Sequence, residues 1–214
     1  MSGRDIFTKP TDGYISRYIN RKISMRVTMF IVKHKIPLTP NIVSLISFLM
    51  ALTSAILFLS GNLILAGVLA QLSSIIDGVD GELARILGLS SPLGAFLDSM
   101  LDRIADIAII SAMSIYAYSI QGSSLRLLVT SLAALSGALL VSYMHSKSVE
   151  QLGKHPALIG RIRNFASRDM RLFIIFIGSI IGRVYETLLV LAIISYVYVM
   201  LKLNEIYIRV KYSF

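Results

Sequence analysis

Four aspartates lie at fixed spacing within a stretch of this chain that is otherwise apolar. They are Asp77, Asp80, Asp98 and Asp102. A carboxylate in an apolar membrane span costs about 2.5 to 3.5 kcal/mol on insertion scales, so four of them require compensating positive charge. Clustered carboxylate oxygens suit Mg²⁺, Mn²⁺ or Ca²⁺, whereas a zinc site is expected to contain histidine or cysteine. The residue types therefore predict a site for hard divalent cations.

The spacing of the aspartates predicts how they come together. Asp77 and Asp80 are three residues apart and Asp98 and Asp102 are four apart, so on helices each pair projects from one face. The connection at residues 88–92 is short, which predicts two antiparallel neighbouring helices. We expect the two pairs to face each other.

The cations of the same segment are Arg85 and Arg103. We expect them to be too few to neutralise the acidic residues by ion pairing alone, which favours bound metal. We assign Asp106 no role other than pairing with Arg103 or with a neighbouring helix. The acidic residues of the segment are Asp77, Asp80, Glu82, Asp98, Asp102 and Asp106.

Small residues and one arginine accompany the aspartates. Gly78 and Gly81 allow the backbone and a ligand to approach each other closely, and Gly94 allows tight helix packing. Arg85, one helical turn after Gly81, is placed to meet a phosphate group. The segment therefore combines metal ligands with a candidate phosphate contact.

The elements that must position these residues are membrane-spanning helices. The chain has 214 residues, of which 55% are hydrophobic and 15% charged, and it has no cysteine, which excludes disulfides and thiolate metal sites. We predict an all-α integral membrane protein with six transmembrane helices, although Gly178 and Gly182 would bend or end the fifth. The predicted spans are residues 41–61, 63–87, 93–120, 124–148, 169–182 and 184–203.

Basic residues concentrate at 4–35, 147–171 and 202–211, whereas the alternate turns hold little beyond Arg126 and Arg183. This asymmetry predicts a multi-pass protein of the cell membrane, with both termini and the aspartates on the cytoplasmic side. Topology and anionic headgroups account for the net charge of +9, so no nucleic-acid partner is expected. The first 35 residues are polar and basic, and we expect no cleavable signal peptide.

We divide the chain into a cytoplasmic arm, residues 1–36, and a transmembrane catalytic domain, residues 37–214. The arm contains a predicted amphipathic interfacial helix, which either anchors the chain or takes part in gating or acceptor binding. Thr39 is expected to cap the first span, with Pro40 at its first position, but Asn41 has no such explanation. The apolar positions of the arm helix are Ile15, Ile19, Ile23, Val27, Phe30 and Ile31.

With its intervening residues, the segment reads Asp-(2)-Asp-Gly-(2)-Ala-Arg-(8)-Gly-(3)-Asp-(3)-Asp. This pattern resembles the signature of the CDP-alcohol phosphotransferases, also called CDP-alcohol phosphatidyltransferases, and the likeness extends to the six-span layout and to Pro40-Asn41. The resemblance implies an enzyme that transfers a substituted phosphate group from a CDP-alcohol to an acceptor hydroxyl and releases CMP. It also implies a homodimer.

The resemblance implies roles for individual residues. Two divalent ions, Mg²⁺ or Mn²⁺, would be bound by Asp77, Asp80, Asp98 and Asp102, and Asp102 would also be the general base. The residues that would contact the CDP group are Asn41, Asp77, Gly81, Arg85 and Ser91.

The acceptor is expected to be anionic. Six basic residues between the fourth and fifth spans either form a phosphate pocket or only fix topology, and both readings stay open. These residues are Lys147, Lys154, Arg161, Arg163, Arg168 and Arg171.

Short stretches at residues 9–21 and 168–173 resemble the membrane domain of di-myo-inositol-phosphate-phosphate synthases, which implies CDP-inositol and inositol phosphate as substrates. That membrane domain is often fused to a cytidylyltransferase, which these 214 residues do not include, so we expect a separate enzyme to supply the CDP-inositol.

Two alternative functions remain open. One is a phospholipid synthase of the same family, which joins CDP-diacylglycerol or CDP-archaeol to inositol phosphate or glycerol phosphate. The other is a cation transporter that uses intramembrane carboxylates. The transporter accounts for the aspartates but gives no reason for Arg85 or for the complete spacing.

Overall fold

The computed structural model describes residues 11–211, which form seven α-helices and no strand. The Lys9-Pro10 part of the arm stretch lies outside the described residues. A π-helical turn (Ser16–Asn20) precedes the first helix, and a 3₁₀ turn (Pro156–Leu158) lies between the fifth and sixth. The helices are α1 (Arg21–Lys33), α2 (Pro40–Leu59), α3 (Leu63–Ile86), α4 (Pro92–Gln121), α5 (Leu125–Leu152), α6 (Arg168–Ile181) and α7 (Val184–Lys211).

Local sequence signals set the helix ends near the aspartates. Thr39 caps α2 by accepting a hydrogen bond from the Ile42 amide at 3.4 Å, as predicted, and Ser91 caps α4 by accepting one from the Gly94 amide at 3.0 Å. A proline follows each cap in the first turn. Between α3 and α4, Gly88 has a φ of +67°, a left-handed conformation that favours glycine. The aspartates of α3 and α4 therefore lie beside a short, well-defined turn.

The packing of α3 and α4 differs from our prediction. Both helices pack against α2, but they do not pack closely against each other. The short connection brings their ends together, while the gap between them is spanned by side chains of the aspartates. The core of the bundle is built largely from alanines, which let neighbouring backbones approach closely. Fully buried alanines include Ala51, Ala66, Ala70 and Ala134.

Five helices are long and apolar enough to cross a membrane: α2, α3, α4, α5 and α7. They correspond to five of the six predicted spans. The remaining predicted span, at residues 169–182, corresponds to α6, which has 14 residues and is followed by Gly182 as its C-cap. At about 1.5 Å per residue it is shorter than a hydrocarbon core of about 30 Å. It packs against α3 and brings its first residue, Arg168, next to the aspartates.

The arm helix α1 packs on α3 through its polar side. Arg21, Ser24 and Thr28 are buried, and all three donate hydrogen bonds to the fully buried carboxylate of Glu82, at 3.0, 2.6 and 2.6 Å. Arg21 also donates to the Gly78 carbonyl oxygen at 3.2 Å. The arm is thus fixed to the helix that carries Asp77 and Asp80. The interfacial position of α1 stays a prediction.

Candidate functional site

Three aspartates from α3 and α4 converge into one cluster. Asp77, Asp98 and Asp102 each offer a carboxylate oxygen, and these oxygens lie within 4.8 Å of one another. A cation that binds oxygens at about 2.0 to 2.6 Å holds them no more than about 4 to 5 Å apart. The donor set and its spacing therefore fit a hard divalent cation.

The fourth signature aspartate lies directly beside this cluster. Asp80 is buried, accepts a hydrogen bond from the Ser44 hydroxyl and lines the same cavity as Asp98. The Ser44 hydroxyl orients one oxygen of Asp80. All four predicted carboxylates are thus brought together, which is the arrangement that two adjacent cations would need.

Arginines from α6 complete the polar network around the cluster. The Arg168 guanidinium lies 2.8 Å from Asp102, 3.3 Å from Asp77 and 3.2 Å from Asp106. Arg171 lies 2.7 Å from the other oxygen of Asp106. Asp106 is therefore a buried structural carboxylate that ties α4 to the start of α6. Arg103 is farther from it, at 3.8 Å.

Cations from outside residues 77–106 neutralise two of the six acidic residues, contrary to our expectation that only Arg85 and Arg103 were available. Arg21 pairs with Glu82, and two α6 arginines pair with Asp106. These partners are distant in sequence, so counting charges along one segment cannot reveal them. The metal prediction therefore depends on the four signature aspartates rather than on all six carboxylates.

A cavity of about 340 Å³ opens between α2, α3 and α4, on the side of Asp80 and Asp98. We call it the α2–α4 cavity. Four of the five residues predicted to contact CDP line it: Asn41, Gly81, Arg85 and Ser91. The fifth, Asp77, lies on the opposite side of the cluster.

Two glycines keep space open in the α2–α4 cavity. A Cβ atom added at Gly81 would lie 3.3 Å from Nη1 of Arg85, and one added at Gly94 would lie 3.0 Å from Oγ of Ser91 and 3.7 Å from Oδ1 of Asn41. Gly94 therefore faces its own helix cap and α2 rather than α3, unlike the helix contact that we predicted.

A second cavity, of about 240 Å³, lies on the other side of the cluster and is lined by Asp77 and Asp102. We call it the arm cavity because the arm segment at residues 11–24 forms one wall. The four carboxylates thus stand between two cavities, with one pair facing each. The lining of the arm cavity also includes Asp12, Gly13, Asn20, Arg21, His155, Asn164, Ser167 and Arg168.

The six basic residues of the predicted acceptor pocket are dispersed. Arg168 lines the arm cavity, and Arg163 lines a third space beside it. Arg171 is buried and directed at Asp106 and the Ala166 carbonyl oxygen. Lys147 is exposed and pairs with Glu150 at 2.8 Å. Lys154 and Arg161 are not among the residues that line the arm cavity.

A buried lysine holds the loop that follows the 3₁₀ turn. Lys202 of α7 is fully buried and donates hydrogen bonds to the carbonyl oxygens of Ile159 and Ile162 and to Glu205. Glu205 in turn accepts from the backbone amides of Arg161 and Ile162. This clamp fixes the chain that leads to Asn164 and Ser167.

Sequence reasoning did not identify the polar residues of the arm cavity. Asn20, Asn164 and Ser167 carry no charge and follow no metal-ligand spacing. Only Asn20 lies in a stretch that resembles a known membrane domain, at residues 9–21.

His155 is a further residue of the arm cavity that the sequence did not indicate. Burial, and then the positive charge of Lys202, lower the pKa of His155, and its Nδ1 accepts a hydrogen bond from the Ala157 amide at 3.1 Å. It is therefore neutral near pH 7.

The chain is similar to known proteins over most of its length. The sequence model described as CDP-alcohol phosphatidyltransferase matches residues 37–210. A bifunctional IPC transferase and DIPP synthase from Rubrobacter xylanophilus is 41% identical over 172 residues, which are 80% of this chain and 37% of that protein. The chain thus spans under half the length of this relative. An archaetidylinositol phosphate synthase from Pyrococcus horikoshii is 35% identical over 160 residues, 75% of this chain and 79% of that protein.

The fold is also similar to solved structures. The phosphatidylinositol phosphate synthase of Mycobacterium tuberculosis, with CDP-DAG bound, superimposes with a TM-score of 0.71 at 22% identity, covering 87% of this chain and 94% of that one. The same enzyme in complex with manganese and citrate gives a TM-score of 0.69 at 21% identity, covering 86% and 88%. At this identity, the likeness shows the fold alone.

Proposed function

The chain belongs to the CDP-alcohol phosphatidyltransferase family, and from this premise we propose how its residues carry out the transfer. The family makes the chain a membrane transferase of phosphate-containing groups, which removes the cation-transporter alternative. The observation that carries the proposal is the position of the four aspartates between two cavities. A donor in one cavity and an acceptor in the other would meet at the carboxylates.

The α2–α4 cavity holds the CDP group in this proposal. Arg85 contacts a phosphate, Asn41 and Ser91 contact the nucleotide, and Gly81 leaves room for it. Asp77, Asp80, Asp98 and Asp102 hold two divalent cations, Mg²⁺ or Mn²⁺. When bound, these cations supply charge neutralisation for the pyrophosphate and for the CMP leaving group.

Asp102 acts as the general base because its carboxylate lines the arm cavity as well as the cluster. It takes the proton from the acceptor hydroxyl as that oxygen forms its bond to the phosphorus distal to cytidine. The bond between that phosphorus and the oxygen of CMP breaks, and CMP leaves with the bonding electrons. Arg168, 2.8 Å from Asp102, holds the carboxylate in place.

The proposed substrates are CDP-inositol and inositol phosphate, which would give di-myo-inositol-phosphate-phosphate. The 41% identity to a bifunctional IPC transferase and DIPP synthase supports this pair. The reaction would take place at the cytoplasmic face of the cell membrane, in a homodimer, as the distribution of basic residues and the family resemblance predict.

A lipid donor is the second candidate, and two observations favour it. The archaetidylinositol phosphate synthase from Pyrococcus horikoshii is matched over 79% of its length, more than twice the share of the bifunctional relative. Apolar side chains also occur on the elements that form the α2–α4 cavity: Leu89 lines it, and the first turns of α4 expose Leu93 and Phe96. Such side chains would suit the acyl or isoprenoid chains of CDP-diacylglycerol or CDP-archaeol.

Assays that supply one donor at a time separate the two candidates. The purified protein in detergent receives inositol phosphate, Mg²⁺ or Mn²⁺, and either CDP-inositol, CDP-diacylglycerol or CDP-archaeol, and CMP is measured. We expect CMP with CDP-inositol and much less with the lipid donors. CMP with a lipid donor alone would replace the first candidate with the second, and no CMP with any donor would contradict the proposed reaction.

A further inference from the structure

One guanidinium links the two helices that carry the aspartates. Nη1 of Arg168 lies 2.8 Å from Oδ1 of Asp102 on α4 and 3.3 Å from Oδ2 of Asp77 on α3. The Arg168 side chain is 13% exposed, and salt screens such a largely buried contact only weakly. Arg168 therefore bridges two of the three carboxylates that converge in the cluster.

The other edge of this guanidinium is held by Asp106. Nε of Arg168 donates a hydrogen bond to Oδ1 of Asp106 at 3.2 Å, and Nη2 of Arg171 donates one to its Oδ2 at 2.7 Å. Arg171 is itself buried and donates to the Ala166 carbonyl oxygen at 2.8 Å, which fixes its position. Asp106 therefore attracts Arg168 from a fixed point and competes with the aspartate cluster for one guanidinium.

The Arg168 charge affects any cation that binds the cluster. If the guanidinium stays in place, a positive charge lies against two of the carboxylates that hold the cation, and like charges repel each other. If the cation displaces the guanidinium, its ion pairs with Asp77 and Asp102 are lost. Either effect lowers the affinity of the cluster for a divalent cation, although the same ion pairs orient both carboxylates.

We propose that Arg168 is a positioning residue that weakens divalent-cation binding by the cluster while it holds Asp77 and Asp102 in place, and that Asp106 limits this competition. The inference rests on the proposed function for the presence of the cations. It adds that their affinity is set by two residues outside the aspartate signature. Arg168 lowers the affinity, and Asp106 raises it by drawing the guanidinium toward itself.

Titration of Mn²⁺ into the purified full-length protein without nucleotide, with free Mn²⁺ followed by electron paramagnetic resonance, measures this affinity independently of turnover. Arg168→Gln should bind Mn²⁺ about 10-fold more tightly, because the competing charge is removed. If the arginine only supported the structure, its loss would loosen the carboxylates and weaken binding. Arg168→Lys keeps the charge and should lie closer to the wild type. The matched control Arg26→Gln, an exposed arginine on α1, should leave the affinity unchanged.

Asp106→Asn tests the competition from the other side. Arg168 then has only the cluster as its carboxylate partner, so the affinity for Mn²⁺ should fall by about 3- to 10-fold. Removing one partner of a buried pair is strongly destabilising, so Asp106→Asn/Arg171→Met, which removes both charges of that pair, is measured beside it and should show a fall as well. In the Arg168→Gln background, Asp106→Asn should change the affinity much less, since its effect acts through the guanidinium.

The affinities of these variants decide the inference. Unchanged or weaker Mn²⁺ binding by Arg168→Gln would show that the guanidinium does not compete with the cation. An equal fall for Asp106→Asn in both backgrounds would show that Asp106 acts on the cation directly and would overturn its assigned role. A wild-type protein that binds no Mn²⁺ would overturn both the inference and the proposed metal site. If Arg168→Gln binds more tightly but the wild type releases no CMP, the inference stands and the proposed reaction is wrong.

Discussion

Asp102 lines the arm cavity, in contact with Arg168 and close to Asp77 and Asp98. As the proposed base, it must accept a proton from the acceptor hydroxyl, and the amide of asparagine is far too weakly basic to do so. Asp102→Asn should therefore lower the rate of CMP formation by about 10²- to 10⁴-fold. Binding of CDP-alcohol, measured by equilibrium dialysis with metal present, should change little. The control is Glu186→Gln, an exposed carboxylate on α7, and a turnover rate for Asp102→Asn equal to this control would remove Asp102 from the base role.

Arg85 is the guanidinium that lines the α2–α4 cavity. Its removal should raise the KM for the CDP-alcohol and lower kcat/KM by about 10- to 100-fold, the loss expected for one charge-assisted hydrogen bond to phosphate. Steady-state assays of Arg85→Ala against Arg126→Ala, an exposed arginine in the first turn of α5, provide the measurement. An unchanged donor KM in Arg85→Ala would place the nucleotide elsewhere.

At the scale of single residues, the sequence predicts the aspartate cluster and the lining of the α2–α4 cavity well, because spacing on a helix determines which side chains share a face. The carboxylate cluster and four of the five predicted CDP residues come together as expected. The polar lining of the arm cavity was harder to predict, since Asn164 and Ser167 lie in irregular loop structure whose path depends on Lys202 and Glu205 of α7. No local pattern encodes that contact.

At the scale of elements, the helix α1 is joined to α3 by a buried ion pair. The Arg21 and Glu82 side chains are 10% and 0% exposed, and Ser24 and Thr28 satisfy the remaining bonding capacity of the carboxylate. Removing one partner of such a pair leaves a buried charge poorly compensated. Glu82→Gln should therefore lower the free energy of unfolding by about 3 kcal/mol.

Chemical unfolding in detergent, followed by circular dichroism, measures this effect. The matched control is Glu186→Gln, which removes the exposed Arg183–Glu186 pair and should leave unfolding unchanged. Equal stability of the two variants would show that the arm is held by other contacts.

The bounds of the predicted spans lie within about four residues of the helix bounds, as at the start of α2, except that α7 continues beyond residue 203 to Lys211. The mutual arrangement of helices was predicted less well. A short connection between α3 and α4 indicated direct packing, but both helices pack on α2 instead. Chain connectivity limits the distance between helix ends, whereas packing depends on which faces carry small residues. At the α2–α3 contact, the Ser54 hydroxyl donates a hydrogen bond to the carbonyl oxygen of the fully buried Ala66 at 2.7 Å.

For the whole molecule, the proposed transfer reaction requires that the carboxylate cluster bind divalent metal and that CMP be formed only when the metal is bound. The measurement is CMP release by the purified protein after removal of metal with EDTA, followed by titration with Mg²⁺ or Mn²⁺, for wild type and for Asp98→Asn. We predict no CMP in the metal-free protein, recovery on addition of either ion, and a need for much more metal in the variant. CMP release that persists without metal, or that Asp98→Asn leaves unaltered, would contradict the account.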